Sequence, residues 1–263
     1  MASPRVSHGH DADAFVEIGS LTKVLTGTAW MRMAAAGAIG ADDLVDHWLD
    51  APAGTGITLR HLAEHTSGLP RLPPDLARAD PYASFNQPEL QKLLRRLPAI
   101  TLQPPGAEET YSNLGYAVLG AALTAASALP YEDLIREYVL DPLGLSDLVT
   151  AHPPAQRLHS TGAFGRRRPT WTMDGAILPA GGMWATPRAA ARLLTGILLD
   201  AELGPIAPTW RTAGPLKWHN GATRNASVFA GAFPNGPWVL VHRLGGAPDR
   251  TEEIALQYLT EVQ

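Results

Sequence analysis

Ser20 and Lys23 stand three residues apart at the head of an apolar run, IGSLTKVLTG. A serine hydroxyl is a weak nucleophile until a nearby base takes its proton, and positions i and i+3 of a helix share a face. The spacing allows two readings: a nucleophile with its base one turn away, or a serine N-cap followed by a solvated lysine. A lysine is cationic near neutral pH unless burial or like charge lowers its pKa, so the catalytic reading needs a second group to share the proton. Tyr111-Ser112-Asn113 offers a phenol that can pass protons and an amide that can hold substrate and lysine together. His219-Asn220-Gly221-Ala222 offers a third piece. Gly221 permits a close backbone approach, and the amides of Ser20 and Ala222 are two candidate donors to an oxyanion. The helix start at Ser20 favours negative charge as well.

These groups need elements to carry them. Residues 15–19 alternate apolar and polar, as a short strand entering Ser20 would. From Ser20 the period becomes helical, through Leu21, Val24, Leu25 and Thr28, and Gly37 and Gly40 close the segment. A short helix is expected at 41–48. Another is expected over 57–70, with Thr58 as N-cap, His61 three residues on, and Gly68 at its left-handed end. Residues 71–110 read as an excursion with one helix near 88–97. Ser112-Asn113 opens a strongly apolar helix, and a shorter one covers 131–139. Residues 141–147 read as a turn, 150–183 as loop with strand pieces, and Thr186-Pro187 as a helix start. HNG then precedes two strand-like runs, 226–233 and 237–244, joined at Pro234-Asn235-Gly236 as a hairpin. A final helix runs from Asp249 or Thr251 to Val262. Helices in the middle and strands at the end imply an α+β fold. Its antiparallel sheet is fed by both ends of the chain, and a helical lobe at about 41–185 is inserted in an α/β lobe. Residues 1–14 read as a polar leader and 15–263 as a single domain.

The bulk properties narrow the partners. The 263 residues are 45% hydrophobic and 17% charged, enough for one sizeable core. The net charge of −4 gives no nucleic-acid footprint. Arg166-Arg167-Arg168 is a solvated loop or a clamp for a carboxylate or phosphate. The chain has no cysteine, which excludes disulfides, thiolate catalysis and zinc–thiolate sites. His8, His10, Asp11 and Asp13 read as part of the mobile leader, not as metal ligands, and no metal or organic cofactor is expected. No run is long and apolar enough to span a membrane, and the N-terminus lacks a secretory pattern, so a cytoplasmic protein acting on a small molecule is expected.

FVEIGSLTK, ITLRHLAEHTSGLP, YSNLGYAVLGAAL, DPLGLSD, AGGMWATPRAAARLL and HNGATRNASVFAGAF together resemble the serine beta-lactamase-like family. That family comprises class C beta-lactamases, D-Ala-D-Ala carboxypeptidases and related esterases and transacylases. The resemblance runs in family order from about residue 15 to the C-terminus. It implies the transpeptidase-type α+β fold and two-step acyl transfer through an ester on Ser20. Lys23 is then the base, Tyr111 the proton relay and Asn113 a substrate-positioning group. His219, Asn220 and Gly221 form the third motif, and the Ser20 and Ala222 amides form the oxyanion hole.

Two departures matter. The sheet strands that normally precede FVEIGS are missing, so the sheet should be reduced, with an edge covered by a partner subunit or by the leader. His219 replaces the lysine of beta-lactamases. A mostly neutral histidine is no fixed cation for a carboxylate, so Arg224 is a candidate substitute and weak beta-lactam hydrolysis is expected. Trp171, Trp184, Trp210 and Trp218 flank the matched segments as core or acyl-pocket residues. The expected activity is hydrolysis of a small ester or amide. The alternatives are an acyltransferase with the same residues and a non-catalytic relative; the intact Ser20, Lys23, Tyr111 and Asn113 speak against the last.

Overall fold

Helix α1 (Thr22–Ala35) lies at the centre of the molecule and continues a 3-10 turn, Gly19–Leu21. Val24, Leu25, Ala29, Trp30 and Met33 have no exposed surface, and Thr22, Lys23 and Thr26 are buried among them. A helix apolar on most sides belongs inside a core, and this burial offsets its lack of an N-terminal side-chain cap. The computed structural model describes residues 4–7, 9–76, 79–155, 157–234 and 236–261, without the side chain of Ala163. His8, Asn235 and Val262 therefore lie outside the described residues.

The remaining helices surround α1. Short α2 (Val45–Trp48) and α3 (Leu59–Ala63) come first, then α4 (Gln87–Leu94) and α5 (Leu97–Ile100). The apolar α6 (Asn113–Ser127) follows, then α7 (Tyr131–Ile135), a π-turn over Arg136–Leu140, and α8 (Asp141–Leu143). Three two-residue strands form a small antiparallel sheet: β1 (Val16–Glu17) and β2 (Val149–Thr150) both pair with β3 (Trp184–Ala185). Between β2 and β3 lies α9 (Leu178–Gly181), and α10 (Pro187–Leu198) follows with Thr186 as its N-cap. The main sheet is antiparallel, in the order β4 (Arg211–Ala213), β5 (Leu216–Ala222), β6 (Ala226–Ala232), β7 (Trp238–Leu244). Its one face, with Val228 and Ala230, joins the central core; Leu216 and Phe229 on the other pack with Ala255 and Leu259 of α11 (Pro248–Glu261). No single helix among the described residues is long and apolar enough to cross a membrane.

The α+β class and antiparallel sheet are as expected, but several details differ. The main sheet is not fed by both ends of the chain: all four strands come from residues 211–244, and β1 pairs with β3 instead. HNG lies inside strand β5, not before the sheet. The helix expected over 57–70 stops at Ala63, because His65 takes a left-handed φ of 61° and Gly68 one of 73°. Its Thr58 cap is reciprocal: His61 N–H donates to Thr58 Oγ1 and Thr58 N–H to His61 Nδ1, both at 3.2 Å. Residues 10–13 of the leader are packed against the body, not loose. His10 Nε2 is 2.7 Å from His242 Nδ1 on β7, and Arg188 of α10 makes a two-bond contact with Asp13.

Candidate active site

Lys23 leaves α1 one turn after Ser20 and is fully buried. Its Nζ donates to Ser20 Oγ at 3.2 Å, to Asn113 Oδ1 at 2.8 Å and to the Ala180 carbonyl at 2.5 Å. All three acceptors are uncharged in this arrangement. Burial lowers the Lys23 pKa, the Arg71 charge lowers it further, and Tyr111 opposes both. A lysine so placed gives up its proton more readily than one in water, as a base for Ser20 requires.

Tyr111 sits beside this pair because its loop is stitched to the chain after α3. Thr110 N–H donates to the His65 carbonyl at 2.8 Å, and Ser112 N–H to His65 Nδ1 at 3.1 Å. Ser112 then caps α6, accepting from Gly115 N–H at 2.8 Å. Lys23 Nζ lies 4.8 Å from the Tyr111 ring centroid. Burial works to raise the Tyr111 pKa, but the charge of Lys23, hydrogen bonding with Lys23 and Ser20, and the Arg71 charge outweigh it. The phenol is therefore more acidic than a free tyrosine, and Lys23, Ser20 and Tyr111 form one proton-sharing group. The His65 ring lies tilted against Tyr111, centroids 4.6 Å apart, with burial and then the Lys23 charge lowering its pKa to about 2. It stays neutral and acts as a spacer and acceptor.

Strand β5 forms the opposite wall. Thr223 N–H donates to the Ala226 carbonyl, and antiparallel alternation then directs the N–H groups of Gly221 and His219 toward β6. Those of Asn220 and Ala222 point to the outer edge. There β4 pairs no farther along β5 than Trp218, so the Ala222 amide is not used by the sheet. A Cβ on Gly221 would run into the Ile18 carbonyl and lie 2.9 Å from the Ser20 amide nitrogen. One on Gly19 would lie 2.9 Å from the Ala222 nitrogen. The two backbones are thus in direct contact, and both proposed oxyanion donors border the same seam. Gly221→Ala is expected to lower the melting temperature by about 5 °C or more and turnover by at least about tenfold, because the added methyl meets the backbone of Ile18 and Ser20 as well as the Val228 side chain, and the backbone yields only at a cost. A melt and a turnover rate both at wild-type level would contradict this contact.

The structure brings Ser20, Lys23, Tyr111 and Asn113 together and places Gly221 and Ala222 against Ser20. His219 faces the same side as Gly221 and is 1% exposed; burial, then the Lys23 charge, lowers its pKa to about 3. Asn220 is not brought in. Its side chain follows the strand period onto the face covered by α11, and its carbonyl lies 2.6 Å from His219 Nδ1. Arg224 lies in the β5–β6 turn, donates to the Ala79 carbonyl and covers the Trp171 ring at 5.9 Å. It is held by a loop instead of facing Ser20. Trp171 and Trp184 line a cavity of about 380 Å³, Trp210 is core, and Trp218 stacks on Phe229. Arg166 and Arg168 lie in the loop around Gly162, with Gly162 N–H donating to the Arg166 carbonyl. Among the described residues no cluster of three His, Asp or Glu is placed to hold a metal.

Four site residues were not singled out by the sequence: Arg71, Tyr82 and Arg211 lie in segments without a motif, and Ala180 opens the matched segment AGGMWATPRAAARLL without a reactive side chain. Tyr82 OH accepts from Asn113 Nδ2 at 3.1 Å, and its ring meets Trp171 edge-on. Ala180 contributes only a carbonyl. Arg71 and Arg211 both lie over the Tyr111 ring.

Residues 2–251 match the beta-lactamase family model. The chain is 33% identical over 182 residues to the D-alanyl-D-alanine-carboxypeptidase/endopeptidase AmpH of Escherichia coli (strain K12), covering 66% of this chain and 46% of that protein. It is 29% identical over 169 residues to a beta-lactamase of the same organism, covering 61% and 41%. The chain thus spans less than half the length of either relative. A beta-lactamase/D-alanine carboxypeptidase from Yersinia pestis, solved with citrate, superposes with a TM-score of 0.78 at 20% identity, over 96% of this chain and 85% of that one. An octameric penicillin-binding protein homologue from Pyrococcus abyssi gives 0.76 at 19%, over 94% and 66%. At these identities the superpositions speak for the fold.

Proposed function

The chain belongs to the beta-lactamase family, and on that premise we propose that it is a serine hydrolase that takes an acyl group from a small ester or amide onto Ser20 and passes it to water. The observation that carries this reading is the buried Lys23 Nζ at 3.2 Å from Ser20 Oγ, with no carboxylate paired to it among the described residues. The proton of Ser20 passes to the Lys23–Tyr111 pair as Oγ attacks the carbonyl carbon. The carbonyl oxygen takes the electron pair and rests on the Ser20 and Ala222 amides. Collapse expels the alcohol or amine, which leaves with the proton held by Tyr111, and Ser20 keeps the acyl group. Water repeats the sequence in reverse order and frees the acid.

Asn113 divides its amide between Lys23 and Tyr82. It therefore aligns the base and fixes the wall that the acyl group meets. The neutral His219 argues for ester or amide substrates over beta-lactams, whose carboxylate a third-motif cation would hold. Incubation with a fluorophosphonate should add one adduct, mapped to Ser20 by mass spectrometry and lost in Ser20→Ala. Nitrocefin should turn over slowly or not at all. An adduct that survives Ser20→Ala would refute the nucleophile, and rapid nitrocefin turnover would refute the substrate preference.

A further inference from the structure

The loop between β2 and α9 carries a patch that no step of the mechanism uses. Its residues 160–168 form a small hairpin: Arg168 N–H donates to the Ser160 carbonyl at 2.9 Å, Gly162 N–H to the Arg166 carbonyl at 2.8 Å, and Thr161 bridges Arg167. At its tip the Phe164 ring is fully exposed, the most exposed large apolar side chain among the described residues. Phe164 also holds a left-handed φ of 60°, a conformation that is costly for a bulky residue. Gly165 follows with a φ of 68°, and a Cβ placed there would meet nothing within 4 Å, so the tip stands clear of the body. Neither burial nor packing repays this conformation, and outliers of this kind cluster where function holds them.

Arg166, Arg167 and Arg168 come directly after the tip, all exposed. Among the described residues none of the three has an ion-pair partner. Burial, then the charges of Arg157 and Arg167, lower the His159 pKa, so positive charge extends back along the loop. A solvated charge run accounts for the arginines but leaves the exposed ring without a reason. An anionic membrane surface answers both, because a phenyl ring enters the acyl boundary while guanidinium groups meet lipid phosphates. Resting on a bilayer needs no helix long enough to cross it. The loop also adjoins the catalytic seam: Asn225, in the turn after β5, donates from Nδ2 to the Pro169 carbonyl at 2.8 Å. A contact at the tip therefore fixes how the seam between Ser20 and Ala222 is turned relative to the surface.

We propose that the 160–168 hairpin is a membrane-surface anchor, with Phe164 entering the interface of an anionic bilayer and Arg166, Arg167 and Arg168 binding its phosphate groups. The anchor is independent of the hydrolase reading, and its test needs no substrate. The full chain is sedimented with vesicles of phosphatidylcholine alone and of phosphatidylcholine mixed equally with phosphatidylglycerol. Each arginine at an anionic surface contributes about fivefold in partitioning, and a buried phenyl ring about tenfold or more. Wild type should prefer the anionic vesicles by about a hundredfold at low salt and lose most of that preference at high salt. Replacing the three arginines together by glutamine should abolish the preference. Phe164→Ser should weaken anionic binding by about tenfold, and Phe164→Trp should retain it. Thermal melts at the wild-type level show that each variant is folded. Because the chain has no cysteine, Phe164→Cys accepts a single environment-sensitive fluorophore, whose emission should shift to the blue on anionic vesicles and not on neutral ones. Wild type that stays in solution with both vesicle types overturns the anchor, as does binding without a blue shift. Binding that Phe164→Ser retains in full overturns it too; if soluble polyglutamate then competes that binding away, the arginines serve an acidic protein instead.

Discussion

Lys23→Met is expected to cost about ten-thousand-fold or more in kcat, on the scale of Ser20→Ala, while leaving the melting temperature level or higher. Both halves follow from one geometry. The ammonium is the donor shared by Ser20, Asn113 and the Ala180 carbonyl, so its loss removes the base and releases the groups it aligns. Yet it is a fully buried amine whose acceptors are neutral, and burial, the first cause of its lowered pKa, makes its charged form costly. Taking its charge out of water costs several kcal/mol, which offsets the two carbonyl oxygens, Asn113 Oδ1 and that of Ala180, that methionine leaves without this donor. The two residues act as a unit, so Ser20→Ala with Lys23→Met should be no worse than the poorer single variant. Turnover of a p-nitrophenyl ester and a thermal melt on all three proteins check this. Multiplicative losses in the double variant would mean that Lys23 serves a step Ser20 does not.

The second large effect concerns acid. Three histidines are held uncharged, first by burial: His65 with a pKa of about 2, and His219 and His242 with pKa values of about 3. Below about 6.5 an unfolded histidine takes up a proton and these do not, so their stabilisation is full above that pH and is lost as pH falls. Glu17 has the opposite sign. Burial raises its pKa to about 7, so between about 4.5 and 7 the folded chain holds a proton that the unfolded chain releases. Its contribution is present at low pH and lost as pH rises. His65 and His219 are nearly inaccessible, whereas His242 is partly exposed and counts for less. The balance between pH 6.5 and 4.5 is one to two protons in favour of the unfolded state. At 1.36 kcal/mol per proton and pH unit, that is roughly 3 to 5 kcal/mol over two units, a large share of ordinary domain stability. Urea midpoints should therefore fall steeply from pH 7 to pH 5. A flat or rising midpoint would show that the histidines are charged in the folded protein.

What the sequence revealed of the site depended on whether a side chain or a backbone group did the work. Ser20, Lys23, Tyr111 and Asn113 were legible because the chemistry names their side chains and helix geometry fixes their spacing. Arg71, Tyr82 and Arg211 were not, because they lie in segments without period and reach Tyr111 and Asn113 only through tertiary contacts. The fold shows the same division. Helix α6 and the β6–β7 hairpin announce themselves by apolar runs and a capping serine. Strand β5 does not, since its alternation breaks into the polar HNG, and that same alternation turns Asn220 away from the site. The end of α3 is not legible either, because nothing in the composition of residues 57–70 marks the left-handed turn at His65.

The contacts at Ala180 and Ala222 are made by peptide groups, and a peptide group is supplied whatever residue is encoded. Mutation can replace those side chains, within the space available, without removing the carbonyl that meets Lys23 or the amide beside Gly19. Part of this site is thus inherited as a path of the chain and not as letters of the gene. Relatives whose residues differ at these two positions can share the whole catalytic arrangement, and an alignment scored by residue identity will understate how much of it they hold in common.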